Sequence, residues 1–128
     1  KLKSIGKFAA LAPSRPMPEI GRLEALVVTG LEEFRAPLSA ADRARRLASP
    51  LSPRQIELLD RYGYPYVLDQ FRFHMTLTGP LRDGERDAAL LALNKLCARS
   101  SASIDALTVL KQPDRRQPFR IVERVPLG

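Results

Sequence analysis

Hydrophobic and polar residues alternate without a break between positions 71 and 78 of this 128-residue chain. Phe71, Phe73, Met75 and Leu77 fall on one parity and Arg72, His74, Thr76 and Thr78 on the other, the two-residue period of a strand with one apolar and one polar face. Gly79 and Pro80 end the pattern. Upstream, Leu2 to Ala12 is rich in apolar and small residues and reads as a strand, interrupted at Gly6 and stopped by Pro13. Ile20, Leu23, Val27, Leu31 and Phe34 then recur at helical spacing. Pro18 and Glu19 precede them, where a missing N–H and a negative charge suit a first turn, so the spacing predicts an amphipathic helix over 18–34.

Ser39 with Asp42, and Ser52 with Pro53 and Gln55, have the form of helix N-caps, and the second helix should stop near Gly63. Three tyrosines around Pro65 make 62–70 too irregular for a regular element, so it reads as a loop. Asp83 should cap a further helix carrying Leu90, Leu93, Leu96 and Cys97, and strands should follow over 104–111 and 118–124. The order β, three helices, β, α, β, β predicts an α+β fold, a mainly antiparallel sheet with helices on one face. Residues 1–128 read as a single domain, with 36–66 as a helical hairpin inserted beside the sheet.

Composition narrows the class. Hydrophobic residues make up 45% and charged residues 27%, close to the globular average, and no apolar run is long enough for a membrane span. One cysteine and one histidine exclude an internal disulfide and a Cys/His zinc site. No metal or other cofactor is expected, and the expected compartment is the cytoplasm. A net charge of +7 favours an anionic partner, such as a phosphate ester, nucleic acid or an anionic surface, without choosing among them.

The polar face of the 71–78 strand carries the candidate chemistry. A neutral imidazole can take a proton from water or a hydroxyl and return it to a leaving oxygen, and hydroxyls beside it can donate to phosphoryl oxygens. His74 and Thr76 are the catalytic candidates; Arg72, Thr78, Tyr66 and Arg120 are the candidates for contacting substrate. Each has a plain structural alternative. A lone strand histidine commonly bonds a neighbouring carbonyl, tyrosines near a proline commonly pack a loop, and Arg120 suits a solvated edge. Arg43, Arg45 and Arg46 spread around their helix axis, as on a solvated face.

The string HMTLT resembles the His-x-Thr-x signature of the two-histidine phosphoesterase superfamily. FRAPLS (34–39), YGYPYV (62–67), FRFHMTLTG (71–79) and PFRIVERVPL (118–127) resemble the C-terminal half of a bacterial family within it, often encoded with phosphonate-utilisation genes. The resemblance implies two pseudo-symmetric lobes, each giving one His-x-Thr pair to a metal-independent site that opens or forms cyclic phosphodiesters. His74 then corresponds to the second histidine and Thr76 to its threonine. With one histidine the chain holds one half-site, so it is expected to be the C-terminal lobe of a longer parent and inactive alone. The expected partners are the parent's N-terminal lobe and a phosphate-containing small molecule, with no membrane; a homodimer is the other arrangement that brings two histidines together. The competing expectation is an anion or RNA binding module without catalysis.

Overall fold

The computed structural model describes residues 1–97, 101–114 and 116–128. Among the described residues there are four helices and two small antiparallel sheets, an α+β arrangement. The chain divides into two compact units, Lys1–Ala98 and Arg99–Gly128. No helix among the described residues is long and apolar enough to cross a membrane.

The first unit opens with a hairpin of β1 (Leu2–Ile5) and β2 (Phe8–Leu11), closed by Gly6 and Lys7. Gly6 has φ +56° and Lys7 does not share the positive φ, as in a two-residue turn with glycine at its first central position. The interruption expected at Gly6 is thus a reversal of the chain. Ala9 and Ala10 are adjacent in β2, point to opposite sides and are both fully buried, so the middle of the sheet is covered on both faces.

The helix expected over 18–34 is α1 (Pro18–Gly30), followed by a separate one-turn 3₁₀ segment at Glu32–Phe34. α2 (Ala40–Leu47) and α3 (Pro53–Tyr62) start where their caps predict. The Ser39 hydroxyl accepts from the Asp42 N–H at 3.1 Å, and Ser52 with Gln55 forms a reciprocal capping box. Gly63 ends α3 in the left-handed conformation, φ +73°. The tyrosine loop then buries Pro65 and Val67 while Tyr64 and Tyr66 stay partly exposed, and it contains one 3₁₀ turn at Leu68–Gln70.

The third strand is shorter than its alternation predicts. β3 is Met75–Thr76 alone, antiparallel to β2 with Ala10 opposite Thr76 and Leu11 opposite Met75. The next position of β2 is Ala12, whose N–H bonds the Lys1 carbonyl, and after it comes Pro13, which has no N–H to offer. Residues 71–74 therefore have no ladder to join. At the other end the Leu77 N–H still reaches the Ala9 carbonyl, and the chain peels away towards the first hairpin turn, where the Leu81 N–H bonds the Lys7 carbonyl.

α4 (Glu85–Cys97) begins without Asp83 as its cap. Gly84 precedes it at φ +91°, and the Glu85 carboxylate reaches back to the Arg82 N–H at 2.9 Å. α4 packs on β1 and β2, with Ala89, Leu90, Leu93 and Cys97 on its half-buried side and Leu91 and Leu96 exposed. The second unit is a hairpin of β4 (Ala106–Lys111) and β5 (Arg120–Pro126). Its register slips between Val109 and Leu110: Glu123 faces Val109 and Ile121 faces Leu110, so Val122 is the extra residue of a bulge.

Candidate functional site

His74 stands one residue outside β3 and is exposed. Its Nδ1 lies 2.6 Å from the Arg72 carbonyl oxygen. A carbonyl only accepts, so Nδ1 carries the proton, and in the neutral ring Nε2 is left with its lone pair. The bond arises locally: the chain leaves the 3₁₀ turn at Phe71 in extended form, and three residues on the imidazole folds back along its own backbone. The ring is thereby oriented while its basic nitrogen stays available.

Thr76 follows two positions later, exposed, and by its pairing shares a sheet face with Ala10 and Lys3. Thr78 is half-buried, and its Oγ1 accepts from the Ala9 N–H at 3.0 Å. That hydroxyl replaces a backbone carbonyl where β3 separates from β2. Its oxygen is committed to the sheet, and its proton is left to donate.

Arg72 is exposed and lines a groove of about 670 Å³ together with Phe71, Phe73, Lys3, Arg15 and Met17. Ala12, which stands opposite His74 if the β2/β3 register is continued, lines it too, so the groove adjoins the histidine. Arg72, His74, Thr76 and Thr78 are thus brought together on one segment. Tyr66 is elsewhere: it lines a groove of about 400 Å³ with Arg45, Arg46 and Leu51, and its ring meets that of Tyr64 edge-on at 5.6 Å. Arg120 lies in the second unit, opposite Lys111 at the start of β5.

The basic run on α2 is largely neutralised. Arg43 binds both oxygens of Asp60, at 2.6 and 2.9 Å, Arg45 binds Asp42 at 2.7 Å, and Arg46 lies over the Tyr64 ring. The Arg43 guanidinium holds the Asp60 carboxyl below its usual range, and Arg54, assisted by Gln70, holds Asp69 down to about 2. Glu24 moves the other way. Its carboxylate is half-buried against the tyrosine loop, where it accepts from the Leu68 N–H; burial raises its pKa, with the hydrogen bond opposing. Among the described residues no group of three His, Cys, Asp or Glu side chains is placed to hold a metal ion.

Lys3 and Arg15 were not singled out by sequence reasoning. Neither sits in a motif, and only the return of β1 and of the proline-rich segment after β2 beside Phe71–Phe73 puts them in the same groove as Arg72.

The model of a family described as "Protein of unknown function (DUF1045)" matches residues 1–120. A protein of Janthinobacterium sp. (strain Marseille) named "Ribose 1,5-bisphosphate phosphokinase PhnN" is 34% identical over the whole of the chain, and one of the same name from Laribacter hongkongensis (strain HLHK9) is 28% identical over 95% of it. The chain spans 30% and 28% of the length of these two relatives. No solved structure matches.

Proposed function

The chain belongs to that DUF1045 family, and from this premise we propose that it carries one half-site of a phosphoesterase acting on a small cyclic phosphodiester. The observation that carries the reading is the His74 ring, held through Nδ1 with Nε2 free on an exposed face. As a base, Nε2 takes the proton of an attacking water while its oxygen bonds to phosphorus; as an acid, the imidazolium returns a proton to the alkoxide that leaves as the other P–O bond breaks. Thr76, two residues on, donates its hydroxyl to a non-bridging phosphoryl oxygen, and Arg72 adds positive charge.

Attack and departure need one group deprotonated and another protonated at the same time. The second group is a matching His-x-Thr pair in an N-terminal lobe of the parent protein, giving the two-lobed arrangement of the superfamily that the 71–79 string resembles. Met75 and Leu77, on the opposite, apolar parity of the site strand, are 43% and 38% exposed, so that face too is left for another part of the parent to cover. The two relatives are named for ribose 1,5-bisphosphate, which supports setting the chain in phosphonate or phosphoribosyl metabolism. The competing reading, an RNA-binding module, loses support from the pairing of Arg43 and Arg45 with Asp60 and Asp42.

The test is a panel of cyclic sugar phosphates and cyclic nucleotides offered to the full-length protein in the presence of a chelator. Ring opening of at least one is the expected result. Inertness towards the whole panel, combined with salt-sensitive RNA binding that survives His74→Ala, overturns the proposal in favour of the binding module.

A further inference from the structure

Many cations of this chain are matched by a carboxylate. Arg35 is held by Glu32, Arg43 by Asp60, Arg45 by Asp42, Arg54 by Glu57 and Asp69, and Arg124 by Asp105. Lys3, Arg15 and Arg72 are among those that are not: among the described residues none of the three has an ion-pair partner or a side-chain hydrogen bond. These three line one groove, and no acidic residue lines it with them. Gathering like charges without a counter-charge works against the fold, and a bound anion relieves it.

The groove also has an apolar wall in Phe71, Phe73 and Met17, the first two half-buried. α1, 13 residues long, begins beside it with Met17 as N-cap and no side-chain cap, which adds partial positive charge, offset in part by Glu19 in the same turn. Its volume of about 670 Å³ is that of a small-molecule site.

We propose that this groove binds a small sugar bisphosphate, its phosphoryl groups on Lys3, Arg15 and Arg72 and its ring against the phenylalanines. The charge match selects the class. Two phosphomonoesters carry about −3 to −4 at neutral pH, close to the three cations, whereas one carries about half as much. Neither His74 nor Thr76 lines the groove, and Arg72 is the one residue it shares with the phosphoesterase reading, so binding through Lys3 and Arg15 goes beyond that reading.

Calorimetric titration of the full-length protein with fructose 1,6-bisphosphate, fructose 6-phosphate and a short single-stranded RNA tests the assignment. The bisphosphate is expected to bind, with the monophosphate about tenfold weaker or worse, since one set of charge-assisted bonds is lost. Lys3→Gln combined with Arg15→Gln should weaken the bisphosphate at least about tenfold, and both residues are exposed and unpaired, so the variant should keep its circular dichroism spectrum. Arg46→Gln instead removes a charge of α2 that lies over the Tyr64 ring and should leave affinity within about twofold. The assignment is overturned if the bisphosphate does not bind, if it binds no better than the monophosphate, if Arg46→Gln is as damaging as the groove variant, or if RNA binds more tightly than either sugar. Absence of phosphodiesterase turnover leaves these titrations unchanged, so the two proposals fail separately.

Discussion

His74 takes its tautomer from a carbonyl two residues back, and that short loop of backbone leaves Nε2 without a partner among the described residues. The structural side of the alternative posed by a lone strand histidine is seen, since the ring bonds a neighbouring carbonyl, and the residue is exposed. The alternation placed Thr76 and Thr78 on the histidine's parity, yet it could not give Thr78 its task, because the Ala9 N–H comes from 69 residues away. Thr78→Val should cost about 1–3 kcal/mol in urea unfolding by leaving that N–H unmet, and Thr78→Ser should restore most of it. Equal losses for the two variants would mean the hydroxyl contributes nothing. Leu68 was equally illegible. Its φ of +54° is costly for a branched side chain, and its N–H is held by Glu24 of α1, 44 residues earlier, with no local signal in the sequence.

Elements whose boundaries are set locally were readable, and those set by a partner strand were not. The Ser39 and Ser52 caps and the Gly63 stop follow from side chains within three or four residues. The length of β3 depends on Pro13, more than sixty positions upstream, and the bulge at Val122 on the facing strand. Gly63→Ala should destabilise by about 1–2 kcal/mol, since the left-handed conformation penalises a Cβ. The new carbon would also meet Arg35 Nη1 at 3.1 Å, disturbing a guanidinium that bonds the Arg61 carbonyl. Asp60 ties α3 to α2 through Arg43, and Asp69 ties the 3₁₀ turn to α3 through Arg54. Both carboxyls have folded pKa values below their unfolded ones, so what they add is present above the ordinary value of 3.8 and is lost as pH falls below it, for Asp69 down to about 2. The melting temperature should fall over that window, and Asp69→Asn should make the acid slope shallower. Both pairs are exposed, so added salt should lower the neutral-pH value as well.

At the scale of the whole molecule, the α+β class could be read from the order of elements, whereas the division into two units had no marker in composition. The second unit is a two-stranded hairpin whose Val109, Leu110, Ile121 and Val122 are each at least half exposed. Such a hairpin is marginal in water, and a peptide of residues 101–128 should give the circular dichroism spectrum of an unfolded chain. The first unit holds His74, Thr76 and the cationic groove, and it lies within the part matched by the family model. The strand at Met75–Thr76 was legible because a strand writes its two faces into the sequence as alternation, although the alternation runs on through residues that lie outside it. The groove was not, because it exists only once β1, the proline-rich segment and residues 71–73 converge. Proton transfer by the Nε2 nitrogen of His74 is tested by kcat/KM for a cyclic phosphodiester, measured on full-length protein carrying His74 or His74→Ala. Loss of about 10²–10⁴-fold, with the circular dichroism spectrum unchanged, is predicted for a residue that moves a proton in the transition state. Turnover within a few-fold of the unmodified protein would contradict it.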